Sequence, residues 1–140
     1  MKSWAFILGC LALTACGAPV RKEKLEAGYV LFAADVPEDL SICRAVHAGC
    51  IGGIPATISA VGMDGRYIVA AQHPGNNKAI TQYYFIDLTV PQSDLNGITG
   101  PLSQAEFDAR SRDLDLPRLK WTVGGDYALE RPYKLSNYWP

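Results

Sequence analysis

Asp64 and Gly65 separate two runs of strand-forming residues, and this dipeptide constrains the fold more than any other feature of the sequence. The flanking runs are ATISAVGM and RYIVAAQ. A type I′ turn needs positive φ at both central residues, which Asp-Gly accommodates, so the sequence predicts a β-hairpin here. A two-residue loop would give the pairs Met63 with Arg66, Val61 with Ile68, and Ala60 with Val69.

This hairpin has apolar residues on both faces at the middle of its strands. Alternation places Val61 and Ile68 on one face. The other face receives Ile58, Ala60, Tyr67, Val69 and Ala71. A strand pair that is apolar on both sides is typical of the centre of a covered sheet, so we expect layers on both sides of it.

Further strands are predicted on either side of the hairpin. Residues 28–33 (GYVLFA) form the first predicted strand, and residues 82–88 (QYYFIDL) add a strand after the hairpin. In that strand Tyr83 and Tyr84 must point to opposite faces. Residues 119–123 alternate apolar and polar side chains, with Trp121 on the buried face. Residues 126–135 are a candidate last strand.

One helix is well specified. Ser103 precedes Glu106 by three residues, which is the capping-box spacing, and Leu102 and Phe107 occupy the positions of a hydrophobic staple. Pro117 ends the segment. The predicted fold class is therefore α+β, a small antiparallel sheet of about five strands with one main helix.

The N-terminus has the pattern of a secretory signal. Lys2 is followed by an uncharged apolar run over residues 4–15, which is shorter than the roughly 20 apolar residues that cross a bilayer. Leu13, Thr14, Ala15 and Cys16 (LTAC) close this run and resemble the lipobox of bacterial lipoproteins. The alternative is an ordinary signal peptide that contains a cysteine.

That resemblance implies that Cys16 is lipidated and becomes the mature N-terminus. It divides the chain into a signal peptide at 1–15, a lipidated cysteine and tether at 16–27, and one globular domain at 28–140. Gly17 stands where an aspartate would imply inner-membrane retention, so the resemblance implies a lipid anchor in the cell envelope, at the periplasmic face of the outer membrane.

Composition restricts the partners. The formal net charge is −1 and acidic and basic residues are interspersed, so we expect no nucleic-acid partner. The expected partners are the membrane, through the N-terminal lipid, and another envelope protein.

Two cysteines remain after the signal and the anchor, Cys43 and Cys50, in the segment CRAVHAGC. In an oxidising compartment a disulfide is the default for such a pair. A bridge would require residues 43–50 to form a turn or hairpin, because seven residues of helix separate two cysteines by about 10 Å along the axis. A zinc site with His47 and His73 and a redox pair are the alternatives, and their spacings are not typical of either.

No catalytic motif stands out. Asp64 and His73 are candidate acid–base partners, but turn formation explains Asp64, and Ser41, Ser59 and Ser103 do not lie in a nucleophile motif. We therefore expect no catalytic residue, no metal and no cofactor. The tail residues Tyr138 and Trp139 are the candidate contact with a partner.

Residues 57–116 contain a D-x-R-Y-I hairpin centre, a Y-x-I-D strand and a G-P-L…E-F helix start. In these features the chain resembles families of small bacterial lipoproteins of unknown function. The expected function is a non-catalytic envelope protein that binds or supports another component. An inhibitor or immunity protein against a toxin or lysozyme-like enzyme is the first alternative, and a small envelope hydrolase is the second.

Overall fold

The structure is a computed structural model, and it describes residues 21–47, 49–91, 97–119 and 121–122. Nine strands and one α-helix are present in these residues. The strands are β1 Arg21–Lys24, β2 Tyr29–Ala33, β3 Ser41–Val46, β4 Gly49–Ile54, β5 Ile58–Met63, β6 Tyr67–Gln72, β7 Gln82–Asp87, β8 Ile98–Leu102 and β9 Trp121–Thr122, and helix α1 is Gln104–Leu114.

The strands form two antiparallel sheets. The first sheet has the order β1-β2-β3-β4, and the second has the order β8-β7-β6-β5-β9. The α+β class is therefore confirmed in outline, but the expectation of a single sheet of about five strands is wrong. Strands β1 and β4 of the first sheet were missed because β1 is fully charged and β4 contains three glycines, so neither has the apolar alternation that indicates a strand.

The main core lies between the two sheets. Its buried members come from both of them: Tyr29, Leu31, Ala33, Leu40, Ile42 and Ile54 from the first sheet and the residue preceding β3, and Ile58, Val61, Ile68, Ala70, Tyr84 and Ile86 from the second. Full burial of each large aliphatic side chain contributes roughly 1.5–3 kcal/mol relative to an exposed one. Packing of the two sheets is thus the main source of stability.

A second cluster covers the opposite face of the five-stranded sheet. Phe107 of α1 and Leu116 after it pack with Tyr67, Val69 and Phe85. Strand β6 is buried at all six positions, because one sheet covers one of its faces and the helix covers the other. The expectation of a central hairpin with layers on both sides is confirmed.

The hairpin itself is confirmed, but its register differs from the predicted one by two residues. Met63 pairs with Ile68 and Val61 pairs with Ala70. The loop is longer because the Asp64 side chain accepts hydrogen bonds from the N–H groups of Arg66 and Tyr67, at 3.0 and 2.9 Å. An aspartate that binds the backbone in this way favours a wider turn than type I′. A shift of two residues leaves each side chain on its predicted face.

Ile58 does not keep the face that the sequence predicted for it. A register irregularity between Ile58 and Ala60 places Ile58 opposite Gln72 and Ala60 opposite Ala71. One extra residue on β5 reverses the alternation, so Ile58 faces the core between the sheets rather than the side of Ala60.

Part of the predicted tether forms strand β1. Residues 21–24 pair with β2, from Arg21 opposite Ala33 to Lys24 opposite Val30. The prediction of a tether up to residue 27 is therefore wrong for this stretch. Charged residues suit a strand at the edge of a sheet, where they oppose pairing with other chains, and composition alone does not distinguish this use from a solvated linker.

Helix α1 agrees with its predicted signals. The Ser103 side chain accepts from the N–H of Glu106 and the Glu106 carboxylate accepts from the N–H of Ser103, which completes the capping box. Asp115 ends the helix in the left-handed conformation, with φ 50°. At 11 residues it is short, and none of the described helices has the length and apolar character needed to cross a membrane.

Candidate binding surface on the disulfide-linked hairpin

Strands β3 and β4 form a hairpin that is closed by the bridge between Cys43 and Cys50. The two Cα atoms are 5.6 Å apart, within the usual range for a disulfide. The predicted disulfide is confirmed, and so is its consequence that residues 43–50 belong to a hairpin rather than a helix. We call β3, β4 and their connection the bridged hairpin.

The bridged hairpin bends at a position where only glycine fits. The pairing changes register between Ile42 and Arg44, so that Ile42 lies opposite Ile54 and Arg44 opposite Ile51. Gly53 has φ +94°, and a Cβ atom there would lie 1.9 Å from the carbonyl oxygen of Ile42. The bend lies at the base of the hairpin, beside Ile42 and Ile54, and the disulfide lies between this bend and the tip.

Two large apolar side chains are exposed on this hairpin. Val46 is 38% exposed and Ile51 is 49% exposed. Both lie on the face that carries Ile42, because cross-strand partners and alternate residues share a face. Arg44 lies on the same face, opposite Ile51, so the core-facing side of the first sheet continues past the sheet packing as a mixed surface. Its two exposed apolar side chains make it a candidate partner contact.

The alternatives for the cysteine segment are resolved by its geometry. The bridge uses both sulfur atoms, so neither is available as a zinc ligand or an activated thiolate. His47 is exposed in the connection after β3. No group of three potential metal-ligating residues is found in the part of the chain that the structure describes.

Asp64 and His73 do not form an acid–base pair. Asp64 precedes β6 and His73 follows it, so the strand separates them by about 17 Å or more. Nδ1 of the His73 ring lies 3.0 Å from the carbonyl oxygen of Ile80, and the backbone N–H of His73 donates to the carbonyl of Thr57. The imidazole therefore has a structural partner at the end of the sheet.

The three serines that were considered as nucleophiles have structural hydrogen bonds. The hydroxyl of Ser41 donates to the carbonyl of Phe32 at 3.1 Å, and that of Ser59 donates to the carbonyl of Ala71 at 3.2 Å. Ser103 caps α1. In the described residues, none of these three serine hydroxyls has a hydrogen bond to a histidine.

Tyr83 and Tyr84 lie on opposite faces of β7, as the alternation of side chains along a strand requires. Tyr84 is buried between the sheets, whereas Tyr83 stacks on Phe107 with ring centroids 4.9 Å apart. The prediction that the two tyrosines point to opposite faces is confirmed. Strand β9 pairs Trp121 with Val61 at the backbone level. Cys16, Tyr138 and Trp139 lie outside the described residues.

Sequence reasoning missed a buried polar cluster centred on Gln72. This side chain is 2% exposed, and its Nε2 donates to the carbonyls of Pro55 and Ala56 at 2.9 and 2.7 Å. The Tyr84 hydroxyl donates to its Oε1 at 3.1 Å. The available signal was a glutamine on the same face as Ile68 and Ala70, a polar residue in a core position that requires partners.

The displaced pKa values in the described residues have local causes. Burial raises the pKa of Tyr84, and burial together with the Asp108 charge raises that of Tyr83. Hydrogen bonds from the Thr89 side chain and N–H lower the pKa of Asp87. Hydrogen bonds from the Ser103 side chain and N–H lower the pKa of Glu106. These groups lie apart on turns, strands and a helix cap, so they do not assemble a proton-transfer site.

A protein-family model matches part of this chain. A family model described as "Protein of unknown function (DUF3997)" matches residues 44–121, which run from β3 to β9. No curated protein and no solved structure matches the chain. The match covers more than half of the 140 residues and includes the region on which the resemblance was based. The chain therefore belongs to the family of proteins of unknown function DUF3997.

Proposed function

We propose that the protein is a lipid-anchored protein of the cell envelope whose globular domain binds another envelope component without catalysis. The observation that carries this proposal is the position of Cys16, directly after an apolar run that ends in Leu13, Thr14 and Ala15. Acyl chains on one cysteine give stable anchoring where more than one chain enters the bilayer. Gly17 favours the periplasmic face of the outer membrane.

Metabolic labelling with palmitate tests the anchor. The wild-type protein incorporates label and sediments with membranes, and Cys16→Ser loses both properties. Cys10→Ser is the matched control, because Cys10 lies inside the predicted signal and its loss leaves labelling intact. An unlabelled wild-type protein, or a labelled Cys16→Ser variant, contradicts the proposal.

The bridged hairpin supports the binding part of the proposal. Val46 and Ile51 expose apolar area on a hairpin whose shape is restricted by a disulfide and a glycine bend. A constrained surface loses little conformational entropy on binding, which favours affinity. The partner that fits this surface is an envelope protein with an apolar patch of its own.

Photo-crosslinking in the intact envelope tests this surface. A photoreactive amino acid at position 46 or 51 gives a discrete crosslinked protein, and the same group at the exposed Arg112 of α1 does not. Val46→Asp, combined with the crosslinker at position 51, removes the product. Crosslinking that is equal at positions 46, 51 and 112 contradicts a specific contact.

Inhibition of a toxin or lysozyme-like enzyme is the second candidate. The observation that favours it is the same hairpin, because a bridged hairpin with exposed apolar residues suits insertion into the cleft of an enzyme. Identification of the crosslinked partner separates the two functions. An enzyme whose activity falls on addition of the wild-type protein, but not of Val46→Asp, supports inhibition.

A further inference from the structure

The sheets have two distinct ends, and hydrogen bonds identify which loops lie at each. At one end, the N–H of Ile58 donates to the carbonyl of Leu40 and the N–H of His73 donates to the carbonyl of Thr57. Residues 34–40 and 73–81 therefore lie together, and we call this the near end. The opposite, far end holds the tip of the bridged hairpin and the turn at 64–66.

The chain enters the fold at the near end. Arg21, the first residue of β1, pairs with Ala33, and residues 34–40 follow directly. Only four residues separate Cys16 from Arg21. Even when fully extended, this connection reaches about 17 Å.

That reach limits how the domain can sit on a membrane. The tip residue Val46 lies six strand positions from the level of Arg21, four along β2 and two along β3. At 3.3 Å per residue this is about 20 Å. An acylated Cys16 would therefore hold the near end within about 17 Å of the bilayer, and in an upright domain the tip of the bridged hairpin lies about 20 Å farther away.

In the part of the chain that the structure describes, the near end also carries two exposed large apolar residues. Val36 is 44% exposed and Ile80 is 48% exposed, one in each of its two loops. The loop with Ile80 is held by the contact of its carbonyl with His73. Exposed acidic residues surround Val36, at Asp35, Glu38 and Asp39. Three basic residues also belong to this end: Lys78 in the other loop, and Arg21 and Lys22 at the start of β1.

We propose that the near end is a membrane-facing surface that rests on a zwitterionic bilayer, with Val36 and Ile80 in contact with lipid. This inference rests on the proposed lipid anchor at Cys16. The formal charges at the near end balance, so they do not favour an anionic surface over a zwitterionic one. The bridged hairpin is consequently presented away from the membrane, where a partner in the aqueous space can reach it.

Site-specific fluorescence on the lipidated protein tests this orientation. The full mature protein is extracted from membranes and reconstituted into phosphatidylcholine vesicles that contain a spin-labelled lipid quencher. Single cysteines replace Val36, Ile80 or, as the far-end control, Val46, and each is labelled with an environment-sensitive dye. The introduced thiol is the reactive one, because Cys43 and Cys50 are bridged and Cys16 is acylated under the proposal.

We expect the lipid quencher to reduce dye emission several-fold more at positions 36 and 80 than at position 46. Addition of phosphatidylglycerol is expected to leave quenching at positions 36 and 80 unchanged, because the charges at the near end balance. Equal quenching at the two ends, stronger quenching at position 46, or an increase with anionic lipid overturns the inference. Flotation with the vesicles is measured first, and a protein that does not float contradicts the anchor itself rather than the orientation.

Discussion

The N–H of Gly65 donates a 2.7 Å hydrogen bond to Oε2 of Glu26, which lies 39 residues earlier in the chain. This bond connects the turn of the central hairpin to the short 3-10 helix Glu26–Gly28 that follows β1. It therefore joins the two sheets at the far end.

Replacing this carboxylate should loosen the far end. We expect Glu26→Ala to lower the free energy of unfolding by about 1 kcal/mol, because the N–H of Gly65 loses a charged acceptor but can still reach water. Denaturant unfolding at neutral pH measures the change. Glu38→Ala, in an exposed loop at the near end, is the control and should change stability little. Equal effects of the two substitutions would assign the loss to net charge rather than to the hydrogen bond.

The adjacent tyrosines of β7 provide a matched pair for the buried polar cluster. Tyr84→Phe removes the hydroxyl that donates to buried Gln72, and we expect a loss of roughly 1–2 kcal/mol. Tyr83→Phe removes a hydroxyl that bonds the exposed Gln104, and we expect less than about 0.5 kcal/mol. Chemical denaturation of both variants gives the comparison. A larger loss for Tyr83→Phe would show that the polar cluster does not stabilise the core.

The disulfide should stabilise the fold by restricting the unfolded chain. The chain-entropy model gives about 2–3 kcal/mol for a loop of this length. We expect the Cys43→Ala, Cys50→Ala double variant to lose about this amount. Thermal unfolding of the wild type with and without a reducing agent provides an independent measurement. If reduction leaves Tm unchanged, the bridge contributes nothing to stability.

The capping box predicts an acid-dependent contribution. Because the Ser103 side chain and N–H donate to it, the carboxylate of Glu106 has a pKa below its ordinary value of 4.5. A lowered pKa in the folded state stabilises the protein above the unfolded pKa, and this contribution is lost as pH falls through the folded one. We expect Ser103→Ala to lower Tm by about 4 °C at pH 7.

The difference in Tm between wild type and Ser103→Ala should shrink as the pH is lowered below 4.5. Asp113→Asn, an exposed helix position outside the cap, is the control for a general effect of charge. If the difference in Tm stays constant from pH 7 to pH 3, the Glu106 carboxylate does not contribute to the helix cap.

Local chemistry made the hairpin, the helix and the disulfide predictable. Asp64 and Gly65 located the turn, and the Ser103–Glu106 spacing located the helix start. The strand register of this hairpin could not be predicted from the Asp-Gly dipeptide alone, because the Asp64 side chain widens the turn by binding two N–H groups. The position of Ile58 depended on a bulge, and a bulge is set by tertiary packing rather than by composition.

Strand β1 of the first sheet and the binding surface could not be predicted in the same way. The charged strand β1 forms by pairing with β2, which the composition of residues 21–24 does not indicate. Val46 and Ile51 look like ordinary core residues in the sequence. Their exposure follows from where the bridged hairpin passes beyond the packed sheets, a property of the whole fold.

Mass spectrometry of the mature N-terminus tests the lipid anchor most directly. Tryptic digestion of the protein purified from membranes should release residues 16–21 (CGAPVR) as the N-terminal peptide. We predict that this peptide carries a diacylglyceryl group on the sulfur of Cys16 and that residues 1–15 are absent. An unmodified Cys16, or a chain that still begins at Met1, would contradict the anchor.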